Sequence, residues 1–506
     1  MELDYKRMRK KRLLWNSTSS IISQAISIIS AFILPRLIIQ TYGTTVNGLI
    51  SSISQFLTVV ALSEFGMSAV VQASLFRVLA NNDEDGISRV MASATKFFRR
   101  VGLILIIYAI GLCALYPVFV KSEFDYLYIA SMILILSIYS VVHYVLGITN
   151  NQLISADQRG YVNNVTNVIV VVINTVACVF LIKMGVGIHA VKLFYAMVFL
   201  TKPIVSALYV KKNYKVNRRI KYVTEPIQQK WNGVAQHIAN YVFTSTDVVV
   251  LSLFSSLENV SIYSVYALIL NGLKQISLQV ENGIKPVLGE FWAKNQMERL
   301  GKLFTSYEWF MHTESMIVFG AAASLIVPFV KIYTVNVTDA NYVVPVFALI
   351  ITLAYFVQNA GNCYNFMIQA AGHFKQTQKN YMIVACMNLL VSVVLVSVIG
   401  LEGVAIGTLV SALYQLLWQG RYVYRAILQS SSIRLMKQIC IDAACLATGF
   451  FVLTRLNLNA NDYLHWAILA IPVTLAWIAI VSVFSILFHR DEIRDVIRFF
   501  RKDFAD

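Results

Sequence analysis

The chain has 506 residues, of which 58% are hydrophobic and 13% charged, and it carries a formal net charge of +16. A soluble protein has about 25% charged residues, and here the apolar residues run in blocks long enough to cross a bilayer, which takes about 20 residues per helix. A soluble enzyme is excluded, and because the basic residues sit in short loops between the apolar blocks, no nucleic-acid partner is expected.

The basic N-terminus, MELDYKRMRKKR, precedes an apolar run too long for a signal peptide and without a small-residue cleavage site. It is expected to stay as the first membrane helix. About fourteen spans are predicted, near 14–40, 46–76, 98–120, 126–150, 161–183, 188–210, 231–254, 260–288, 307–333, 342–370, 380–400, 403–424, 436–455 and 464–488. With the N-terminus inside, the outside loops hold only Lys121, Lys183, Lys331 and Arg455 of the 42 Lys and Arg. This asymmetry predicts that both termini are cytoplasmic. The outside loops are short, so no extracytoplasmic domain is expected.

The longest inside loop, KKNYKVNRRIKYVTEPIQQK (211–230), divides the chain near its middle. Residues 154–187 resemble 368–403, and Glu64-Phe65-Gly66-Met67 matches Glu281-Asn282-Gly283-Ile284 more weakly, both at an offset near 215. Repeats of this kind are typical of transporters. The expected organisation is an N-lobe of helices 1–6 (1–212), a cytoplasmic linker (213–230), a C-lobe of helices 7–12 (231–430), helices 13 and 14 (431–488) and a cytoplasmic tail (489–506). The fold class is all-α integral membrane, with two pseudo-symmetric six-helix lobes plus two C-terminal helices.

An ionisable residue inside a membrane costs roughly 2.5–3.5 kcal/mol on insertion scales and is a functional candidate by default. On helix 1, Asn16, Ser20, Ser23, Ser27 and Ser30 form a stripe of the kind that also packs helices together. Pro35 is expected to disrupt that helix, and Arg36 beside it either binds phosphate or snorkels to the headgroups. Glu64 lies deep in helix 2, and Lys192 and Lys202 lie in helix 6. Helix 7 places Gln236, Asn240, Thr244 and Asp247 within about 80° of one another. Helix 8 is the most informative: Lys274, Glu281 and Lys285 fall within about 40° of one face, flanked by Asn271, Gln275 and Asn282. Such a stripe faces a helix or a water-filled cavity; the plainer reading is an i,i+4 pair of Glu281 with Lys285. Glu308, His312, Glu314 and Asp442 are expected near the headgroup interface where they lie close to helix ends.

By depth, Arg36 and Asp247 are expected in the outer leaflet, Glu64 and Lys274 near the middle, and Glu281 and Lys285 in the inner leaflet. A ladder of cations across the bilayer suits a polyanionic headgroup. No HExxH, Walker A or GxSxG motif is present, and the six cysteines lie in apolar segments without a CxxC pair. No enzyme activity, cofactor or metal site is expected.

The stretches LPRLIIQTYGTTVNGLISSISQFLTVVALSEFGMSAVVQASLF (34–76), TDVVVLSLFSSLENVSIYSVY (246–266) and KPVLGEFWAKNQMERLGKLFTSYEWF (285–310) resemble the polysaccharide transporter (Wzx-like) branch of the multidrug/oligosaccharidyl-lipid/polysaccharide (MOP) flippase superfamily. The likeness runs over nearly the whole chain. It implies fourteen helices in two lobes with a central cavity, and transport of undecaprenyl-pyrophosphate-linked oligosaccharide across the bacterial plasma membrane. It also implies that Arg36, Glu64, Asp247, Lys274, Glu281 and Lys285 line that cavity. The expected roles are phosphate binding by Arg36, Lys274 and Lys285, and charge balance or ion coupling by Glu64, Asp247 and Glu281. Asn240, Asn271 and Lys202 are secondary candidates. A coupling ion, Na+ or H+, is left open. Expected partners are the lipid-linked oligosaccharide, membrane lipids, and glycosyltransferases and a polymerase of the same pathway. The alternative is a cation-coupled multidrug antiporter of the same fold.

Overall fold

The computed structural model describes residues 2–59, 65–120, 122–220, 222, 224–227, 245–453 and 458–494, and these contain only helices and the turns that join them. In chain order the helices are α1 (Glu2–Tyr42), α2 (Thr44–Thr58), α3 (Phe65–Ala80), α4 (Glu84–Phe119), α5 (Tyr126–Ala156), α6 (Tyr161–Lys183), α7 (Ile188–Asn213) and α8 (Ser245–Phe254). They continue with α9 (Leu257–Ala293), α10 (Met297–Tyr333), α11 (Pro345–Ala370), α12 (Phe374–Ile399), α13 (Leu401–Ile427), α14 (Ile433–Leu453) and α15 (Tyr463–Phe488).

Among the described residues, eleven helices are long and apolar enough to cross a membrane. The other three predicted spans differ for separate reasons. Span 46–76 is represented by α2 and α3, two shorter helices. Span 231–254 lies outside the described residues before α8. Span 260–288 is the unbroken α9, which carries Lys274, Glu281 and Lys285 and is not among the eleven. Helix α1 runs without interruption through Pro35, so the expected disruption there does not end the helix.

The chain divides into two compact units, one of Met1–Ile238 with Ser256–Ser261, the other of Ala239–Ser255 with Ile262–Asp506. In unit 1, α1 packs along α6 through its serine stripe. Asn167 donates to Ser23 Oγ at 2.7 Å and Ser27 Oγ at 3.1 Å, and Ser30 meets Thr175 at 2.6 Å. At the N-terminal end of α6, Asn16 Oδ1 accepts from the Tyr161 amide at 2.7 Å. The stripe is therefore a packing seam, the use small hydroxyl residues commonly have between membrane helices.

The segment after α7 is strapped onto unit 1. The Asn217 amide donates to Ser88 Oγ at 3.0 Å, Tyr214 donates to Asp157 Oδ2 at 2.6 Å, Ser93 bonds Glu225, and Arg218 bonds the buried Asn150. Burial and then the bond to Asp157 push the Tyr214 phenol upward, while burial and then the Arg99 charge lower Arg218.

Unit 2 is built around two close approaches. Gly400, at φ 63°, turns α12 into α13, a conformation a side chain strains. Further along that hairpin, a Cβ at Gly407 would fall 2.2 Å from Ser392 Oγ. Trp477 of α15 is fully buried in a slot left by Gly320 of α10 and Gly449 of α14. That slot fixes the last two helices on unit 2. The outward side chains of α15, such as Ile468, Ile471 and Leu475, are exposed, as expected of a lipid-facing surface.

Candidate functional site

Of the polar stripe predicted on the eighth span, Lys274 and Lys285 lie on α9 and reach α11 within unit 2, while the side chains of Glu281 and Asn282 lie outside the described residues. Lys274 Nζ donates to Gln358 Oε1 at 3.4 Å, and Lys285 Nζ donates to Gln369 Oε1 at 2.6 Å. Both pairs have the same sequence separation, 84 residues. The two helices therefore run in the same direction in constant register, and two rungs eleven residues apart lie about 16 Å apart along the axis. Aromatic faces lie beside both cations: Lys274 is 6.0 Å from the Tyr355 ring centroid and Lys285 is 5.3 Å from that of Phe366.

Between the rungs α11 presents Asn362 and Asn365. Gln358, Asn362, Asn365 and Gln369 follow the i, i+4, i+7, i+11 spacing of one helix face. Asn365 Oδ1 accepts from Gln369 at 3.1 Å and also from Tyr381. Lys274, Gln358, Asn362, Asn365, Gln415 and Gln419 line a cavity of about 200 Å3. Gln419 is only 1% exposed, and its Nε2 has no hydrogen-bond partner among the described residues. An amide offers both a donor and an acceptor. A wall of amides with a lysine at one edge thus fits a neutral polyhydroxyl ligand joined to an anion. A cavity of this size holds about one sugar ring, below the roughly 300 Å3 at which drug-sized sites begin.

Two further polar clusters flank this face: Asp247 is buried, with its Oδ1 unpartnered among the described residues, and Glu314 is half-buried. Asp247 Oδ2 accepts from Tyr263 at 2.7 Å and from Thr408 at 2.8 Å, and Asn388 donates to that threonine at 3.2 Å. Glu314 accepts from Ser277 at 2.8 Å and from Asn359 at 3.0 Å. Among the described residues, no group of three or more His, Cys, Asp or Glu could hold a metal ion.

Glu308, His312 and Asp442 do not lie open to headgroups as expected. Glu308 is 1% exposed and accepts from Tyr364 at 2.7 Å, Tyr424 at 2.5 Å and Arg434 at 3.3 Å. His312 Nδ1 lies 2.6 Å from Asp442 Oδ2, and Arg434 continues to Glu492 at 2.5 Å. This network fastens α14 and the segment after α15 to α10 and α11. The sequence reading missed it because its members come from five separate stretches, and the two tyrosines looked like ordinary apolar residues.

The remaining candidates are dispersed. Glu64 and Asn240 lie outside the described residues, as does the Glu281 side chain. Arg36 is half-buried in α1 of unit 1. Lys202 donates to Asn167 Oδ1 at 2.6 Å and lies 4.0 Å from the Phe199 ring, which ties it to the α1–α6 seam. Asn271 is the exception: exposed one turn before Lys274 on α9, it hydrogen-bonds Tyr355, the α11 ring beside that lysine. The structure brings together Lys274 and Lys285 with the α11 amides, which the sequence reading did not single out. Their spacing along one face of a span was the signal available.

Residues 10–292 match a family described as polysaccharide biosynthesis protein. No curated protein matches the sequence. Among solved structures, the lipid II flippase MurJ in an inward closed conformation superposes with a TM-score of 0.65 at 15% identity, covering 95% of this chain and 100% of that one. An inward-facing multidrug resistance MATE family transporter of the MOP superfamily gives 0.61 at 14%, covering 81% and 98%. The eukaryotic MATE transporter AtDTX14 gives 0.58 at 13%, covering 86% and 98%. At these identities the likeness establishes the fold: an all-α, multi-pass membrane architecture of the MOP type.

Proposed function

The chain belongs to the polysaccharide biosynthesis protein family, and from that premise we propose that it is a flippase for undecaprenyl-pyrophosphate-linked oligosaccharide. It moves repeat units from the cytoplasmic to the outer leaflet of a bacterial plasma membrane, by alternating access, for a surface polysaccharide such as a capsule. Both termini are cytoplasmic in this reading, and the glycosyltransferases and polymerase of the pathway are its functional partners.

The observation that supports this reading is the α9–α11 ladder. A sugar-pyrophosphate head cannot cross hydrocarbon unaided, because an isolated charge there costs tens of kcal/mol in the Born limit. Lys274 and Lys285 offer the head two cations along one face, and the amides between them offer partners for hydroxyl groups. Lys285 makes no ion pair among the described residues, which do not include the Glu281 side chain. Arg36, in α1 of unit 1, is a separate candidate for binding phosphate. Asp247, with Glu64 and Glu281, balances charge or carries the coupling ion, Na+ or H+.

The test is transport of a fluorescent lipid-linked oligosaccharide in proteoliposomes. A lysine bond to phosphate contributes about 2 kcal/mol, so Lys285→Met should slow transport about 30-fold while leaving insertion and folding intact. Wild-type transport in both Lys274→Met and Lys285→Met removes the assignment. Export of a cationic dye without transport of the lipid-linked sugar makes the chain an antiporter instead.

A further inference from the structure

Unit 1 contains a cavity of about 270 Å3 bounded by α2, α5 and α7, with Lys192 among the residues lining it. Tyr139, Tyr144 and Tyr195 also line it, with Ser54 and Ser140. Lys192 and Lys202 occupy the same helix, yet their surroundings differ. Lys202 has an amide oxygen at 2.6 Å and a ring at 4.0 Å. Lys192 has the Tyr195 ring at 5.6 Å and, among the described residues, no ion pair. Lys192 lies one turn into α7, and the ring face beside it returns about 0.5–2 kcal/mol to a cation without neutralising it. An oxyanion bound in the cavity supplies the opposite charge that the described residues do not.

We propose that this cavity is an oxyanion site in unit 1, with Lys192 as its cation, which takes an acidic sugar: a monosaccharide ring carrying a carboxylate or phosphate. The size suits one ring rather than a chain. The tyrosine rings give apolar faces for the sugar's C–H surface, and the phenol and serine hydroxyls give donors for the oxyanion and the ring hydroxyls. The site is distinct from Lys274 and Lys285 and does not rest on the role given to them. An anionic lipid headgroup carries the same oxyanion chemistry, and the experiment separates the two sources.

The full chain is placed in nanodiscs of phosphatidylcholine alone, and in parallel discs containing phosphatidylglycerol. Acylation of Lys192 by an amine-reactive reagent is followed by mass spectrometry with glucuronate, glucose 1-phosphate or uncharged glucose present. An acidic sugar at ten times its dissociation constant should slow acylation about tenfold, whereas glucose should not. A second readout needs no reagent: the acidic sugar should raise the thermal midpoint of the wild type and of Lys192→Arg, but not of Lys192→Met. Lys274→Met should keep both effects, which separates this site from the one in unit 2. Protection by phosphatidylglycerol alone assigns the cavity to a lipid headgroup and overturns the sugar. No protection and no thermal shift with either acidic sugar overturns the site.

Discussion

Two helix pairs carry polar stripes, α1 against α6 in unit 1 and α9 against α11 in unit 2, and a cavity opens beside the second. In the first, serine hydroxyls and asparagine amides meet at 2.6–3.1 Å along the seam. In the second, Lys274 and Lys285 reach Gln358 and Gln369 across a longer gap, and a cavity of about 200 Å3 opens beside the first rung. Short side chains let helix backbones approach and close on themselves. Long ones hold the helices apart, so groups between the rungs stay available. A polar stripe in a span therefore marks a polar face, and the reach of its side chains decides whether that face becomes a contact or a chamber.

The largest break of this contrast should come from Asn167→Leu. It removes the acceptor of Lys202 and the donor to Ser23 and Ser27 together. A charge left without its partner in a buried setting costs about 3 kcal/mol or more. Expression and the thermal midpoint should fall sharply, and Asn167→Leu with Lys202→Met should recover most of the loss. Wild-type stability in the single mutant makes the seam dispensable. Gln369→Leu should do the reverse in unit 2. Lys285 is half-buried, so stability should change little. Its ammonium loses the partner that aims it, and transport in vesicles should fall about tenfold, equivalent to about 1.4 kcal/mol. A fall in stability as large as that of Asn167→Leu erases the distinction between the stripes.

Gln419→Leu sharpens the comparison further. The buried Nε2 is unpartnered among the described residues, and an unsatisfied buried donor costs about 1–3 kcal/mol. Leucine should raise the thermal midpoint while lowering transport several-fold. A drop in stability with transport unchanged assigns Gln419 to packing.

Much of this was legible in the sequence. Block length and charge depletion announced a membrane bundle, because a bilayer allows little else. The face shared by Lys274 and Lys285 followed from spacing alone. The amides of α11 were harder to weigh, because an uncharged Gln or Asn in a span carries a weaker signal than a lysine. The Glu308–His312–Asp442 network was not legible. Its hydrogen bonds join residues 52 to 130 apart in the sequence, and nothing local distinguishes a carboxylate that meets a headgroup from one enclosed by two tyrosines and an arginine. The serine stripe was visible but ambiguous, since only the partner helix could show that asparagines stood opposite it.

The smallest effect belongs to Ser30 and Thr175, and it tests the dry seam most directly. Thr175 gives its own proton to the Val171 carbonyl at 2.7 Å, so its oxygen is left to accept from Ser30 at 2.6 Å. A hydrogen bond between membrane helices contributes about 0.6 kcal/mol on average, because the alternative partners in the bilayer are not absent. A double-mutant cycle with Ser30→Ala and Thr175→Val should return a coupling of about that size, with transport unchanged in all three variants. The transport result carries the weight. If Ser30→Ala alone slows the lipid-linked sugar, the serine stripe touches the transport path after all, and side-chain reach no longer separates a contact from a chamber.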